Sequence, residues 1–138
     1  MNIIDSYPAE TTGRLFPVED GFRFNVYQSG EGVRFEAKKH GSEVVRFRLT
    51  PMAGNHGILI FNAMQVAEDY KGNGYGTLAQ QIVLEWGQRY NAAMLICTTL
   101  SDNQPMRRIL TRHGWCEVGV ESVNPRTGNH FAMWRRSY

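Results

Sequence analysis

Residues 71–76, Lys-Gly-Asn-Gly-Tyr-Gly, are the part of the chain whose types and spacing point most directly to chemistry. Glycines at alternate positions allow positive φ and let the backbone approach a ligand closely. A helical stripe follows, so the free N–H groups of a helix's first turn stand at the end of the segment. With the helix dipole they attract a phosphate or pyrophosphate, and Lys71 adds a positive charge. Two nucleotide motifs do not fit. The dinucleotide fingerprint needs glycine at its first, third and sixth positions, and counting from Gly72 the sixth is Thr77. A P-loop needs Gly-Lys-Ser/Thr at the helix start, which is absent. The plain alternative is a glycine-rich turn without a ligand.

The flanking patterns say what positions this segment. Residues 57–66, GILIFNAMQV, form an apolar run that reads as a strand covered on both faces. Beyond the glycines, Leu78, Ile82, Trp86 and Tyr90 recur every four residues, with Val83 beside them. This predicts an amphipathic helix over 76–90. Residues 92–100 read as another buried strand, and strand–helix–strand on this scale is a βαβ unit with a parallel pair. Upstream, alternation through Phe22, Phe24, Val26, then Val33, Phe35, Ala37, then Val45, Phe47, Leu49 predicts an antiparallel meander. The first twenty residues, with Pro8, Gly13 and Pro17, read as an irregular arm. Downstream, Asp102 or Asn103 can cap a second helix that takes Pro105 in its first turn and closes at Gly114. Met106, Ile109, Leu110 and His113 form its inward stripe. Strands at 115–120 and 131–135 complete the chain, joined by a hairpin loop at 124–129. The fold class is α/β (α+β), a mixed and mostly antiparallel sheet with two main helices.

At 138 residues the chain fits one domain, 1–138. It has no apolar run of membrane-spanning length and no basic-then-apolar leader, which points to a cytoplasmic protein away from the membrane. Two cysteines, Cys97 and Cys116, make no disulfide framework and lack zinc-ligand spacing; both read as reduced, buried thiols, and no metal is expected. The net charge of +2 is uneven. Residues 103–138 hold six arginines against Glu117 and Glu121, a balance of +4, which leaves −2 for the remainder. A basic final quarter suits an anionic ligand or partner.

The stretch from Val66 through Gly76 resembles the acyl-CoA motif of the GNAT superfamily of N-acyltransferases, Arg/Gln-x-x-Gly-x-Gly/Ala after a strand ending in valine. Lys71 stands where that family has Arg or Gln. Asn103 through Trp115 resembles the family's next segment, an asparagine, a short helix and Gly-Phe, here Gly114-Trp115. The resemblance covers residues 57–135. It implies a sheet with a central splay and acetyl-CoA as co-substrate. It also implies that N–H groups near Val66 and the side chain of Asn103 hold the pantetheine arm. The N–H groups of Gly72, Asn73, Gly74, Tyr75 and Gly76, beside Lys71, would hold the pyrophosphate. An amide near Met64 would polarise the thioester carbonyl.

The family often places a glutamate base on the strand before the glycines; here Ile60, Asn62 and Met64 share the presumed site face. It often places a tyrosine acid on the later helix; here the matching residue is Leu110. Asp102 is the remaining candidate base, direct or through a water, against a helix-cap role. Asn62 could orient an amine or be a satisfied core amide. His56 reads as a solvated strand-start residue, His113 as a helix C-terminal residue favoured by the dipole, and Tyr138 as a mobile terminus. Arg107, Arg108 and Arg112 read as a solvated helix face; the sharper reading is a surface for the ribose phosphate of CoA or for a nucleic acid such as an aminoacyl-tRNA.

The family usually inserts two helices between its first two strands. Only residues 5–21 leave room for them here, so a reduced helical wall and an open acceptor site are expected. An open site suits a macromolecular acceptor, a homodimer partner that completes the wall, or a protein with no acceptor. The resemblance thus implies acetyl transfer to a primary amine of a protein, a tRNA or a small molecule. A non-catalytic acyl-CoA-binding or structural protein and a nucleic-acid-binding module are the alternatives.

Overall fold

The computed structural model describes residues 22–138. An antiparallel meander opens it: β1 (Phe22–Ser29), β2 (Gly32–Lys39), β3 (Ser42–Met52) and β4 (Asn55–Val66). The tight turns between them place Gly30, Gly41 and Gly54 at φ 62°, 80° and 81°, the left-handed conformation that hairpins demand. The alternation predicted for β2 and β3 becomes one buried face. Val26, Phe35 and Phe47 stand in register across three strands. The Phe35 and Phe47 rings stack at 4.9 Å, and Trp86 meets Phe35 edge-on at 6.5 Å.

Then follow α1 (Tyr75–Arg89), β5 (Met94–Leu100), α2 (Gln104–Arg112), β6 (Cys116–Val123) and β7 (His130–Ser137). Among the described residues the sheet has seven strands in the order β1-β2-β3-β4-β5-β7-β6. β4 and β5 are parallel and the other pairs antiparallel, the mixed sheet with two main helices that the sequence predicts. Ile82, Val83 and Trp86 of α1 and Leu110 of α2 share the core with Phe47, Leu59, Phe61 and Leu95. No helix among the described residues is long and apolar enough to cross a membrane.

Some details differ from expectation for local reasons. β5 starts at Met94 because the Ala92 N–H bonds the Gly87 carbonyl at 2.9 Å and the Ala93 N–H bonds the Gly57 carbonyl at 2.8 Å, outside the ladder. Cys97 is buried, but Cys116 is exposed rather than buried; it lies on the edge strand β6, and the preceding Trp115 takes the core position. Tyr138 is not a mobile terminus. Its hydroxyl donates to the Leu84 carbonyl at 2.6 Å, and it lies over Gly87, where a Cβ would come within 2.1 Å of that hydroxyl. Burial pushes the Tyr138 phenol up to about 12. The expected irregular arm and reduced N-terminal helices lie at residues 1–21, outside the described residues; the described part of 22–56 is strand and turn.

Candidate active site

The central feature follows from where pairing stops. β4 and β5 pair only at Ile58–Met94, Leu59–Leu95 and Ile60–Ile96. β4 stays bonded to β3 as far as Val66, and β5 to β7 as far as Leu100. Beyond Ile60 and Ile96, therefore, the two facing edges have no ladder partner in each other, and their backbone groups need another one. A bulge in β4 follows just past the parting: Ala63 and Met64 together oppose Phe47. The sequence placed Ile60, Asn62 and Met64 on one face. The extra residue breaks that alternation, so Met64 and Val66 pack against the core while Asn62 stays exposed.

The gap opens into a cleft of about 910 Å³. Met64 and Val66 line it from β4, Cys97 and Thr99 from β5, and Asn103 and Ile109 from the α2 side. The glycine segment closes one end. A 3₁₀ turn at Glu68–Tyr70 leads into it. Gly72 and Gly74 have φ of 81° and 87°, where a side chain is strained, whereas Gly76 is helical and serves packing: a Cβ there would stand 3.0 Å from Ile109 Cδ1. Gly74 is the N-cap of α1 and supplies no side-chain acceptor, so no capping side chain covers the start of the helix. Asn73 donates from Nδ2 to the Tyr70 and Lys71 carbonyls at 3.2 and 3.5 Å; its side chain braces the loop and does not line the cleft. Tyr75 meets Tyr70 edge-on at 5.9 Å across the cradle. Lys71 Nζ lies 2.9 Å from Glu68 Oε2, and its hydrogen bond and charge hold the Glu68 carboxyl below its usual range. Lys71 thus shares the charge expected of it with a carboxylate.

The helix cap resolves to Asn103. Its Oδ1 accepts from the Met106 N–H at 3.2 Å, which commits the oxygen, and the residue also lines the cleft. Asp102 is exposed in the turn before it and is not among the cleft-lining residues. Asn62 lines the cleft and is exposed, not a core amide. His56 is exposed at the start of β4, and His113 caps α2 with Nδ1–H donating to the Ile109 carbonyl at 2.8 Å. The inward stripe of α2 divides: Leu110 enters the core, while Met106 and Ile109 face the cleft.

Two buried indoles stiffen the walls. Trp134 Nε1 donates to Thr99 Oγ1 at 3.1 Å, and Trp115 Nε1 to Gln80 Oε1 at 2.9 Å. Burial pushes the Cys97 thiol up to about 12, so at neutral pH it lines the cleft as a neutral, unreactive group. The arginines of α2 separate. Arg107 pairs with Glu117 at 2.8 Å and lies over the Trp134 ring at 5.5 Å, while Arg108 and Arg112 line the cleft.

The family described as Acetyltransferase (GNAT) domain matches residues 9–115. The chain belongs to the GNAT family of acetyltransferases. Solved GNAT structures share its fold at low identity. An IAA acetyltransferase from Bacillus cereus superposes with a TM-score of 0.66 at 15% identity, over 78% of each chain. An acetyltransferase from Bacillus subtilis, solved with CoA, gives 0.67 at 8% over 85% of this chain and 99% of that one. A ribosomal-protein-alanine N-acetyltransferase from Brucella melitensis gives 0.65 at 18% over 78% and 69%. No curated protein matches the chain by sequence.

Within this GNAT fold, sequence reasoning passed over Gln65, Tyr70, Cys97 and Thr99, which also line the cleft. Thr98-Thr99, a polar pair ending an apolar strand, was the available signal for the last of these. The bulge that puts Met64 and Asn62 on different faces leaves no mark in composition or periodicity.

Proposed function

We propose that this GNAT protein transfers an acetyl group from acetyl-CoA to a primary amine by direct attack within a ternary complex. The observation that carries the reading is the parting of β4 and β5 after Ile60 and Ile96, in a cleft that the glycine cradle also lines. Acetyl-CoA supplies an activated thioester. The pantetheine arm has the length and amide groups to lie between the parted edges like an added strand. The N–H groups of Gly72 to Gly76 hold the pyrophosphate, and Asn103 Nδ2 donates to the arm. The bulged backbone at Met64 turns an N–H toward the thioester oxygen as negative charge develops there. Exposed Asn62 orients the amine. In the transfer the nitrogen forms a bond to the carbonyl carbon, the carbon–sulfur bond breaks, and the proton lost by the amine balances the thiolate that leaves. Positioning of the two reactants supplies much of the rate. The amine loses its proton to solvent, and Asp102, exposed in its turn outside the cleft lining, is the candidate base that an Asp102→Asn variant tests.

Calorimetry with acetyl-CoA, followed by CoA thiol release across a panel of amines and peptides, tests this. Binding with amine-dependent thiol release supports it. No binding of acetyl-CoA overturns it, and binding without release in any acceptor reduces the protein to an acyl-CoA binder.

A further inference from the structure

Across β2, β3 and β4, the face of the sheet opposite the Phe35–Phe47 core carries two rows of polar side chains that end at the cleft. Arg34 stands directly opposite Arg48, and Arg48 opposite Asn62. In the next row Glu36 stands opposite Arg46, and Arg46 opposite Gln65. Directly opposed residues of antiparallel strands share a face and lie about 4.5–5.5 Å apart. Alternation alone would turn Asn62 and Gln65 to opposite faces. The extra residue of the bulge at Ala63–Met64 puts both on the arginine face, and both line the cleft.

Arg34, Arg46, Phe47, Arg48 and Gln65 line a hollow of about 220 Å³. Gln65 lines the cleft as well, so the two spaces adjoin. No carboxylate is among the described residues that line the hollow. Arg34 Nε lies 3.2 Å from Glu36 Oε1, and Arg46 Nη1 lies 3.7 Å from Glu43 Oε2. Arg46 Nη2 donates to Gln65 Oε1. A guanidinium carries several N–H donors in a planar fork, so a partner on one edge leaves donors for another. Arg34 and Arg48 are like charges directly opposite each other, which disfavours the pairing. An anion between them would meet both with charge-assisted bonds. The hollow equals roughly seven waters' share of liquid volume, room for a carboxylate or phosphate on a short linker. Arg48 stands one strand spacing, about 4.8 Å, from Asn62, the residue that orients the amine in the transfer proposed above.

We propose that Arg34 and Arg48 form an acceptor subsite for an anionic group, so that the preferred acceptor is a small primary amine bearing a carboxylate or a phosphate, with its nitrogen at Asn62. This rests on the acetyl-transfer reading above and names the class of its acceptor. The test is CoA thiol release from acetyl-CoA with two matched pairs of amines, at equal concentrations of unprotonated amine. One pair is β-alanine and β-alaninamide, the other O-phosphoethanolamine and ethanolamine. The anionic member of at least one pair should show kcat/KM higher by about tenfold or more. A preference in the first pair alone supports a carboxylate subsite, and in the second alone a phosphate subsite. In Arg34→Gln and in Arg48→Gln the ratio should fall towards one, while calorimetry finds the affinity for acetyl-CoA kept. Where Arg48→Gln folds poorly, Arg34→Gln carries the same test. Equal kcat/KM within both pairs overturns the proposal, as does a ratio that survives both substitutions. Release with other amines but with none of these also overturns the subsite alone. Release with no amine at all overturns the transfer reading on which it rests.

Discussion

The β4–β5 pair has two ends that obey different rules. At the closed end, Ile58–Ile60 and Met94–Ile96 satisfy each other's backbone, and Leu59 and Leu95 are fully buried. At the open end, past Ile60 and Ile96, the same two strands part, and the residues between them line a cleft. The closed end holds its shape through the protein alone. The open end keeps its shape because each strand is tied outward, β4 to β3 and β5 to β7. A strand pair can thus be rigid and still present unpaired edges, provided each edge strand has a second partner. Substitutions at the closed end should therefore act on stability, and substitutions at the open end on binding.

The largest effect should come from Leu95→Ala. Removing a fully buried leucine costs about 2–5 kcal/mol, read by urea or thermal unfolding. The protein that remains folded should keep its affinity for acetyl-CoA, and a matching loss of affinity would break the separation. Next comes Gly74→Glu at the open end. It puts a side chain at φ 87° and a carboxylate at the helix N-terminus, where the pyrophosphate is proposed to sit. Loss of charge-assisted bonds from that turn should weaken acetyl-CoA by about 100-fold in calorimetry. A Gly74→Glu protein that stays folded and binds normally would remove the cradle from the proposed site.

Alkaline pH probes both ends together. Cys97 at the cleft is held at about 12 against an ordinary 9.0, and Tyr138, which follows β7 and packs against α1 away from the cleft, at about 12 against 10.0. Each is neutral when protonated and burial resists its ionisation. The unfolded chain therefore loses these protons first, and stability present below about pH 9 is lost as pH rises towards 12. While only the unfolded thiol ionises, the slope from Cys97 is on the order of 1 kcal/mol per pH unit. Urea titrations at several pH values should show this fall, and Cys97→Ala should flatten it. An unchanged slope in that variant would mean that the thiol is not the buried group the fold makes it.

The sequence showed the closed end better than the open one, for a physical reason. Alternation through Phe35, Phe47 and Leu49 and the stripe of Ile82 and Trp86 record burial, and burial is what periodicity reports. The cradle was legible because Gly72 and Gly74 need a conformation that other residues avoid. The bulge at Ala63–Met64 was not: it changes which face Met64 occupies without changing any residue's polarity. The fate of Arg107 was likewise hidden, since Glu117 and Trp134 reach it only through the β6–β7 pairing. Asp102 and Asn103 illustrate the same limit at one-residue scale. Both types cap helices, and only the turn geometry assigns the cap to Asn103.

That last pair gives the smallest effect and the sharpest test of the chemistry. Asp102→Asn removes the charge of an exposed side chain outside the cleft lining. Its backbone carbonyl, which accepts from the Gln104 N–H at 2.9 Å, is kept. If transfer depends on positioning and on an amine that loses its proton to solvent, the variant should change kcat/KM less than about twofold at every pH, well below the 100-fold or more of a working general base. Asn103→Ala, one residue on, should then cost more, because it removes both a cap, about 1 kcal/mol, and a polar side chain that lines the cleft. A loss of about 100-fold in Asp102→Asn, deepest at low pH, would instead place a working base in the turn. The open end would then carry its proton acceptor outside the cleft walls, reached by an ordered water.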